Sequence, residues 1–196
     1  MGALYDLLPQ VAPFVVDCPE GVQTFALRRA AARFLADSHA WTLPLAADAD
    51  GTQVMALSAF TPALQAGTVV LSALSLTIDA VVEPSLSPRW IVNQGSIYFD
   101  PAPALGAELV LTVALGASQQ SITELPDLIL SRYGDAIADL ALHYIYVTTG
   151  RPYYDREAAE TAYVRYRQGL HEANVDRLTG GRAGVAALTN PMPDYF

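Results

Sequence analysis

Two stretches with helical periodicity flank a β-rich middle, and this order constrains the fold more than anything else in the chain. Apolar residues recur at helical spacing from about Pro19 to Ser38 and again over about 126–178. Residues 41–118 read instead as short strands separated by turns. Amphipathic helices must bury their apolar faces, and the two helical ends are each other's natural partners. The pattern predicts an α+β chain. A bundle of three main helices, an N-terminal helix plus a C-terminal α-hairpin, carries an inserted antiparallel β domain and an extended C-terminal tail. The expected divisions are 1–40 for the lead-in and first helix, 41–118 for the β domain, 119–178 for the helical hairpin and 179–196 for the tail.

Local signals sharpen these elements. Residues 4–18, punctuated by Pro9 and Pro13, read as a turn and an extended lead-in. Asp17 is placed to cap the first helix, Pro19 suits its first turn, and Glu20 favours the positive end of the dipole. Leu27, Ala30, Ala31 and Phe34 form one face of that helix; Val22, Phe25, Arg29 and Arg33 form another, with Arg28 off the first face. A helix with two non-equivalent apolar faces is suited to contact on both sides. In the middle, Asp48-Ala49-Asp50-Gly51 between Trp41–Leu45 and Gln53–Leu57 signals a hairpin. Thr68–Val82 reads as one long strand or two, 89–92 and 96–99 as strands around Asn93-Gln94-Gly95, and 108–115 as the last strand. Such spacing suggests a small sandwich or barrel.

In the second helical region Ile129, Tyr133, Ala136, Ile137, Leu140, Tyr144 and Val147 share a face, opposite Arg132, Asp135, Asp139 and His143. Thr149-Gly150-Arg151-Pro152 ends that helix and Asp155 caps the next. Ala159, Ala162, Tyr163, Tyr166, Leu170 and Ala173 give the buried stripe of the last helix. The Gly/Pro-rich end, closing on Pro191-Met192-Pro193-Asp194-Tyr195-Phe196, reads as a tail with an aromatic tip.

The chain is 52% hydrophobic and 16% charged, against about 25% charged in ordinary soluble domains. Either the core is large for the length or part of the surface is buried against other subunits. The net charge is −9 and every cation is arginine. Arginine suits ordered interfaces through bidentate pairing and stacking; GC-rich coding gives the same bias. The acidic balance argues against wrapping nucleic acid. A single cysteine, Cys18, excludes an intrachain disulfide and an all-cysteine zinc site. The first residues lack a signal-peptide pattern and no apolar run is long enough to span a bilayer, so a soluble protein made in a cytoplasm, with no membrane partner, is expected.

Catalytic signatures are missing. The chain has no Gly-x-Ser-x-Gly elbow, phosphate loop, Gly-x-Gly-x-x-Gly turn or His-Glu-x-x-His helix. Asp135, Asp139 and His143 form an i+4 ladder of metal-ligand types, but one helix alone cannot converge three ligands on one ion, and a polar face is the better reading. A calcium loop starting at Asp48 needs Glu at its twelfth position, where Ala59 stands. Cys18 at a helix N-terminus invites a lowered thiol pKa, with His39 the nearest base in sequence, yet a buried structural cysteine fits better. Tyr133, Tyr144, Tyr163 and Tyr166, at helical spacing, read as core packing of the hairpin rather than a ligand pocket. Arg28, Arg29 and Arg33 read as partners for carboxylates of a neighbouring subunit, with Asp135 and Asp139 as further interface residues. No catalytic, cofactor or metal site is expected.

An ordered set of short motifs resembles the head-to-tail adaptors of tailed bacteriophages, also called connector, head-completion or tail tubular protein A-like proteins. Asp17-Cys18-Pro19, Ala26-Leu27-Arg28-Arg29-Ala30-Ala31-Ala32-Arg33-Phe34-Leu35 and Ser38-His39-Ala40-Trp41 are similar to the family's first helix. Tyr98-Phe99-Asp100-Pro101-Ala102-Pro103, Leu125-Pro126-Asp127, Tyr133-Gly134-Asp135-Ala136-Ile137, Ala141-Leu142 and Asp155-Arg156-Glu157-Ala158-Ala159 follow in order; 41–96 matches least. The resemblance implies a structural virion protein, not an enzyme. It would form a ring of identical subunits, typically twelve, between the portal protein and a tail or nozzle protein. DNA would pass through the ring without specific binding. Its place would be the head–tail junction of the virion, with the host cytoplasm before assembly. The tail residues Asn190, Met192, Asp194, Tyr195 and Phe196 are the expected portal-docking element. The alternatives are a neck or tail-completion protein without portal contact, and a small hydrolase or ligand-binding protein using the Asp135–Asp139–His143 ladder.

Overall fold

A computed structural model describes residues 1–64, 67–83, 90–93, 95–120 and 122–179. Their elements, in chain order, are β1 (Gly2–Ala3), α1 (Leu8–Val11), α2 (Glu20–Ser38), β2 (Thr42–Asp48), β3 (Val54–Ala56), β4 (Thr68–Ile78), β5 (Val81–Glu83), β6 (Trp90–Asn93), β7 (Ser96–Phe99), β8 (Glu108–Ala117), β9 (Glu124–Leu125), α3 (Asp127–Tyr146) and α4 (Arg156–Thr179). The class is mixed α+β, with four α-helices and antiparallel sheets among the described residues. The chain forms two compact units, one of Met1–Ala40 with the chain from Thr123 onward, the other Trp41–Ile122. The second closes at Ile122, where the sequence placed Ser118.

In the helical unit, β1 pairs antiparallel with β9. The lead-in differs from the extended segment read from the sequence: two 3-10 turns, Leu4–Leu7 and Ala12–Phe14, bracket α1. Leu4, Leu7 and Val11 are buried there, and that apolar spacing holds the turns despite the two prolines. The start of α2 also differs. Pro19, not Asp17, occupies the cap position and no side chain caps the helix. Its carbonyl accepts from the Val22 and Gln23 amides, and buried Gln23 donates its side-chain amide to the Cys18 carbonyl at 2.8 Å. Asp155 does cap α4, accepting from the Ala158 amide at 3.0 Å.

Helices α2, α3 and α4 pack against one another. On α2 the buried apolar residues are Ala26, Leu27, Ala30, Ala31, Phe34 and Leu35, with Gln23 and Ser38 buried beside them. Half of α3 is buried, including Ala138, Ala141, Leu142 and Ile145, which lie off the stripe read from the sequence. Val147 is exposed. On α4 the buried residues are Ala159, Ala162, Tyr166 and Ala173, whereas Tyr163, assigned to that stripe, is 40% exposed. Small residues bring α3 and α4 close: a Cβ on Gly169 would sit 2.5 Å from the Ala136 Cβ.

The β unit has a four-stranded sheet in the order β2-β8-β4-β5 and a three-stranded sheet in the order β3-β7-β6, all antiparallel. The two sheets share one apolar core, with Leu45, Leu76, Leu109, Leu111 and Val113 from the first and Met55, Ile97 and Phe99 from the second. The hairpin expected around Asp48–Gly51 does not form, because β2 pairs with β8 and β3 with β7. The turn itself is present: Asp50 Oδ1 accepts from the Thr52 amide and hydroxyl, and Gly51 takes φ +77°. It redirects the chain from one sheet to the other. Thr68–Val82 is split by a tight turn at Asp79 and Ala80, both at positive φ, so that β4 and β5 form a hairpin.

Candidate functional site

Two surfaces of the helical unit carry most of its chemistry. The first is an arginine and aromatic face. Helical spacing sets Val22, Phe25, Arg29 and Arg33 along the outer side of α2, all exposed, with Phe25 at 59%. Arg29 lies over the Tyr144 ring at 4.2 Å, and among the described residues it has no carboxylate partner. From Tyr144 a chain of rings continues through His143 (5.8 Å) to Tyr163 (4.9 Å) and Tyr166 (5.8 Å). The His143 Nδ1 lies 2.9 Å from the Ala159 carbonyl oxygen. A carbonyl only accepts, so Nδ1 carries the proton.

Two carboxylates lock this surface from beneath. Asp37 on α2 accepts from Arg33 at 2.7 Å and from the Tyr166 hydroxyl at 2.9 Å. Asp176 on α4 accepts from Arg132 at 2.9 Å and from the Tyr133 hydroxyl at 2.7 Å. Each clamp joins two helices through a charge-assisted hydrogen bond. Burial is the main cause that pushes the Tyr133 hydroxyl up to about 12, with the Asp176 bond and charge adding to it. Burial raises Tyr166 in the same way, helped by Asp37.

The second surface is a groove of about 640 Å³ formed by the N-terminal turns, α3 and the first turns of α4. Phe14, Ala138, Leu142 and Ala162 make its apolar part; Asp135, Asp139, Asp155 and Glu157 supply four carboxylates against a single cation, Arg165. The Tyr146 hydroxyl donates to the Phe14 carbonyl at 3.1 Å and holds the N-terminal turn against α3. Burial pushes the Asp139 carboxyl above its ordinary range; Arg165 opposes this and Asp135 adds to it.

The residues singled out in the sequence thus separate. Asp135 and Asp139 enter the groove, while Arg29 and Arg33 lie on the outer face of α2. Arg28 is half-buried, donates to the Tyr5 hydroxyl, and its guanidinium carbon lies 5.7 Å from that ring's centre. Of the four tyrosines, Tyr133 and Tyr166 are core residues, and Tyr144 and Tyr163 remain accessible. Asp135, Asp139 and His143 assemble no metal site, since among the described residues no group of three such side chains gathers around a common point. Cys18 is buried, and that burial raises its thiol pKa against a smaller opposing bond from Tyr153, the reverse of the helix-dipole expectation. Asn190, Met192, Asp194, Tyr195 and Phe196 lie outside the described residues. Asp37, Asp176 and Arg165 escaped the sequence reading; the i+4 spacing of Arg33 and Asp37 was the one available signal. Among the described residues no helix is long and apolar enough to cross a membrane. No protein-family model matches this chain, and no curated protein matches it either.

Proposed function

We propose that this chain is a structural virion subunit, a head-to-tail adaptor. Identical copies form a ring between the portal and the tail, and DNA passes through the ring's channel. In this reading the β domain is an insertion in a three-helix bundle. The observation that carries the reading is α2. One side of this helix is fully buried, and the other holds Val22, Phe25 and Arg29 in solvent. A solitary subunit gains little from an exposed phenylalanine beside an arginine that has no carboxylate partner among the described residues. A ring, whose neighbours touch through two different surfaces, needs such a face. The order of the adaptor-like motifs adds support, since the 26–35 run lies on α2 and the 133–142 runs lie on α3. A net charge of −9 per subunit also suits a channel along which DNA slides without sticking.

The tail from Asn190 to Phe196 is the portal-docking element of this reading. Deleting residues 180–196 should leave the melting temperature of the subunit unchanged and block its addition to portal-bearing heads. Normal addition of the shortened chain rejects the docking role. An averaged virion image that places the protein away from the head–tail junction rejects the adaptor reading and favours another neck or tail-completion component.

A further inference from the structure

The groove and the arginine face look in opposite directions. At about 100° per residue, Asp135, Asp139, Leu142 and Tyr146 project from one side of α3, and Tyr133, Ile137, Leu140 and Tyr144 project from the opposite side. The first set lines the groove, and the second includes the ring on which Arg29 stacks. The two surfaces are also complementary. The groove joins an apolar part to an excess of carboxylates. The outer face of α2 joins Val22 and Phe25 to Arg29 and Arg33. Among the described residues of a chain with 20 acidic residues and 11 arginines, Arg29 nevertheless finds no carboxylate of its own.

We propose that the groove of one subunit receives the outer face of α2 from a second copy, with Phe25 against the apolar part and Arg29 facing Asp135 and Asp139. Because donor and acceptor surfaces lie on opposite sides of one unit, the contact is head-to-tail and repeats from copy to copy, as a closed ring requires. Stacking on Tyr144 orders the Arg29 guanidinium before contact, which lowers the entropy lost on pairing. Arg165 cannot neutralise four carboxylates, and the partial burial of Asp139 leaves its charge poorly solvated, so an incoming guanidinium is the favourable occupant. This inference rests on the ring reading and specifies its contact.

The test is a charge swap on the full chain. Arg29→Glu and Asp135→Arg both change accessible side chains, and each variant's melting curve checks its fold. Self-association is followed by sedimentation velocity across a concentration series. Each variant alone should associate at least about tenfold more weakly than the wild type, because each sets like charges across the contact. An equimolar mixture should recover association, since one contact type in the mixture is native and the other is charge-reversed but complementary. Phe25→Ser should weaken association without a charge change. Wild-type association by either charge variant alone overturns the proposed contact and leaves the ring reading standing. So does a mixture that fails to recover. A wild type that stays monomeric throughout the series, and forms no ring in a virion image, overturns both.

Discussion

At the scale of single residues, the clearest chemistry is the pair of carboxylate clamps. Asp37 and Asp176 each accept from one arginine and one tyrosine, and the tyrosine in each case comes from a different helix. Neither carboxylate is isolated, so burial of the tyrosine hydroxyls is compensated. Tyr133→Phe should cost about 1.5–3 kcal/mol at neutral pH, the usual loss for a hydrogen bond to a charged acceptor. The pH dependence follows from the raised folded-state value. A tyrosine held near 12 against an ordinary 10 gives stability that is complete below pH 10 and is lost as pH rises toward 12. Urea midpoints of wild type and Tyr133→Phe should therefore converge between pH 10 and 12. A gap that stays constant over that range means the hydroxyl does not titrate in this way.

At the scale of elements, α3 and α4 test whether packing or propensity controls a helix. Gly169 sits inside α4, where glycine costs about 1 kcal/mol relative to alanine. Propensity alone therefore predicts that Gly169→Ala stabilises. The added Cβ would meet the Ala136 Cβ at 2.5 Å, and alanine has no rotamer by which to yield. Overpacking of this kind costs about 1–3 kcal/mol, so Gly169→Ala should lower stability by up to about 2 kcal/mol net. A rise in the thermal midpoint would show that the helices separate without penalty. The same competition explains the lead-in: local proline signals favoured an extended segment, and burial of Leu4, Leu7 and Val11 favoured turns.

At the scale of the whole molecule, the chain is two units with separate cores. Every residue of the β core, from Leu45 to Leu115, belongs to the unit of residues 41–122. A fragment of residues 41–122 should therefore fold by itself, giving a cooperative urea transition and dispersed amide resonances. A collapsed, undispersed spectrum would mean that the core depends on the helical unit. Both units also leave apolar side chains in water, including Phe25 and Leu128 in one and Val81, Val82 and Leu105 in the other. Exposure on this scale accords with the low charge content and with the proposed life of the protein inside an assembly.

Periodicity and local turn signals determined the type and position of the longer helices α2, α3 and α4 and of the strands around the 93–95 turn, because those signals lie within a few residues of each other; they left Thr68–Val82 open as one strand or two. The Asp155 cap and the two faces of α2 were legible for the same reason. Partnership between distant segments was not. Residues 45 and 53 both flank a genuine turn, yet β2 and β3 belong to different sheets because each finds a better ladder in β8 or β7. The arginines were visible as a stripe, but only packing placed Arg29 over Tyr144 and the Tyr166 hydroxyl on Asp37. Asp135 and Asp139 read as a ladder on one helix, and only the approach of α4 and the N-terminal turn made them part of a groove. Local spacing governs backbone conformation through short-range hydrogen bonding and side-chain direction. Which surfaces meet depends on burial summed over the whole chain, and that sum exists only in the folded structure.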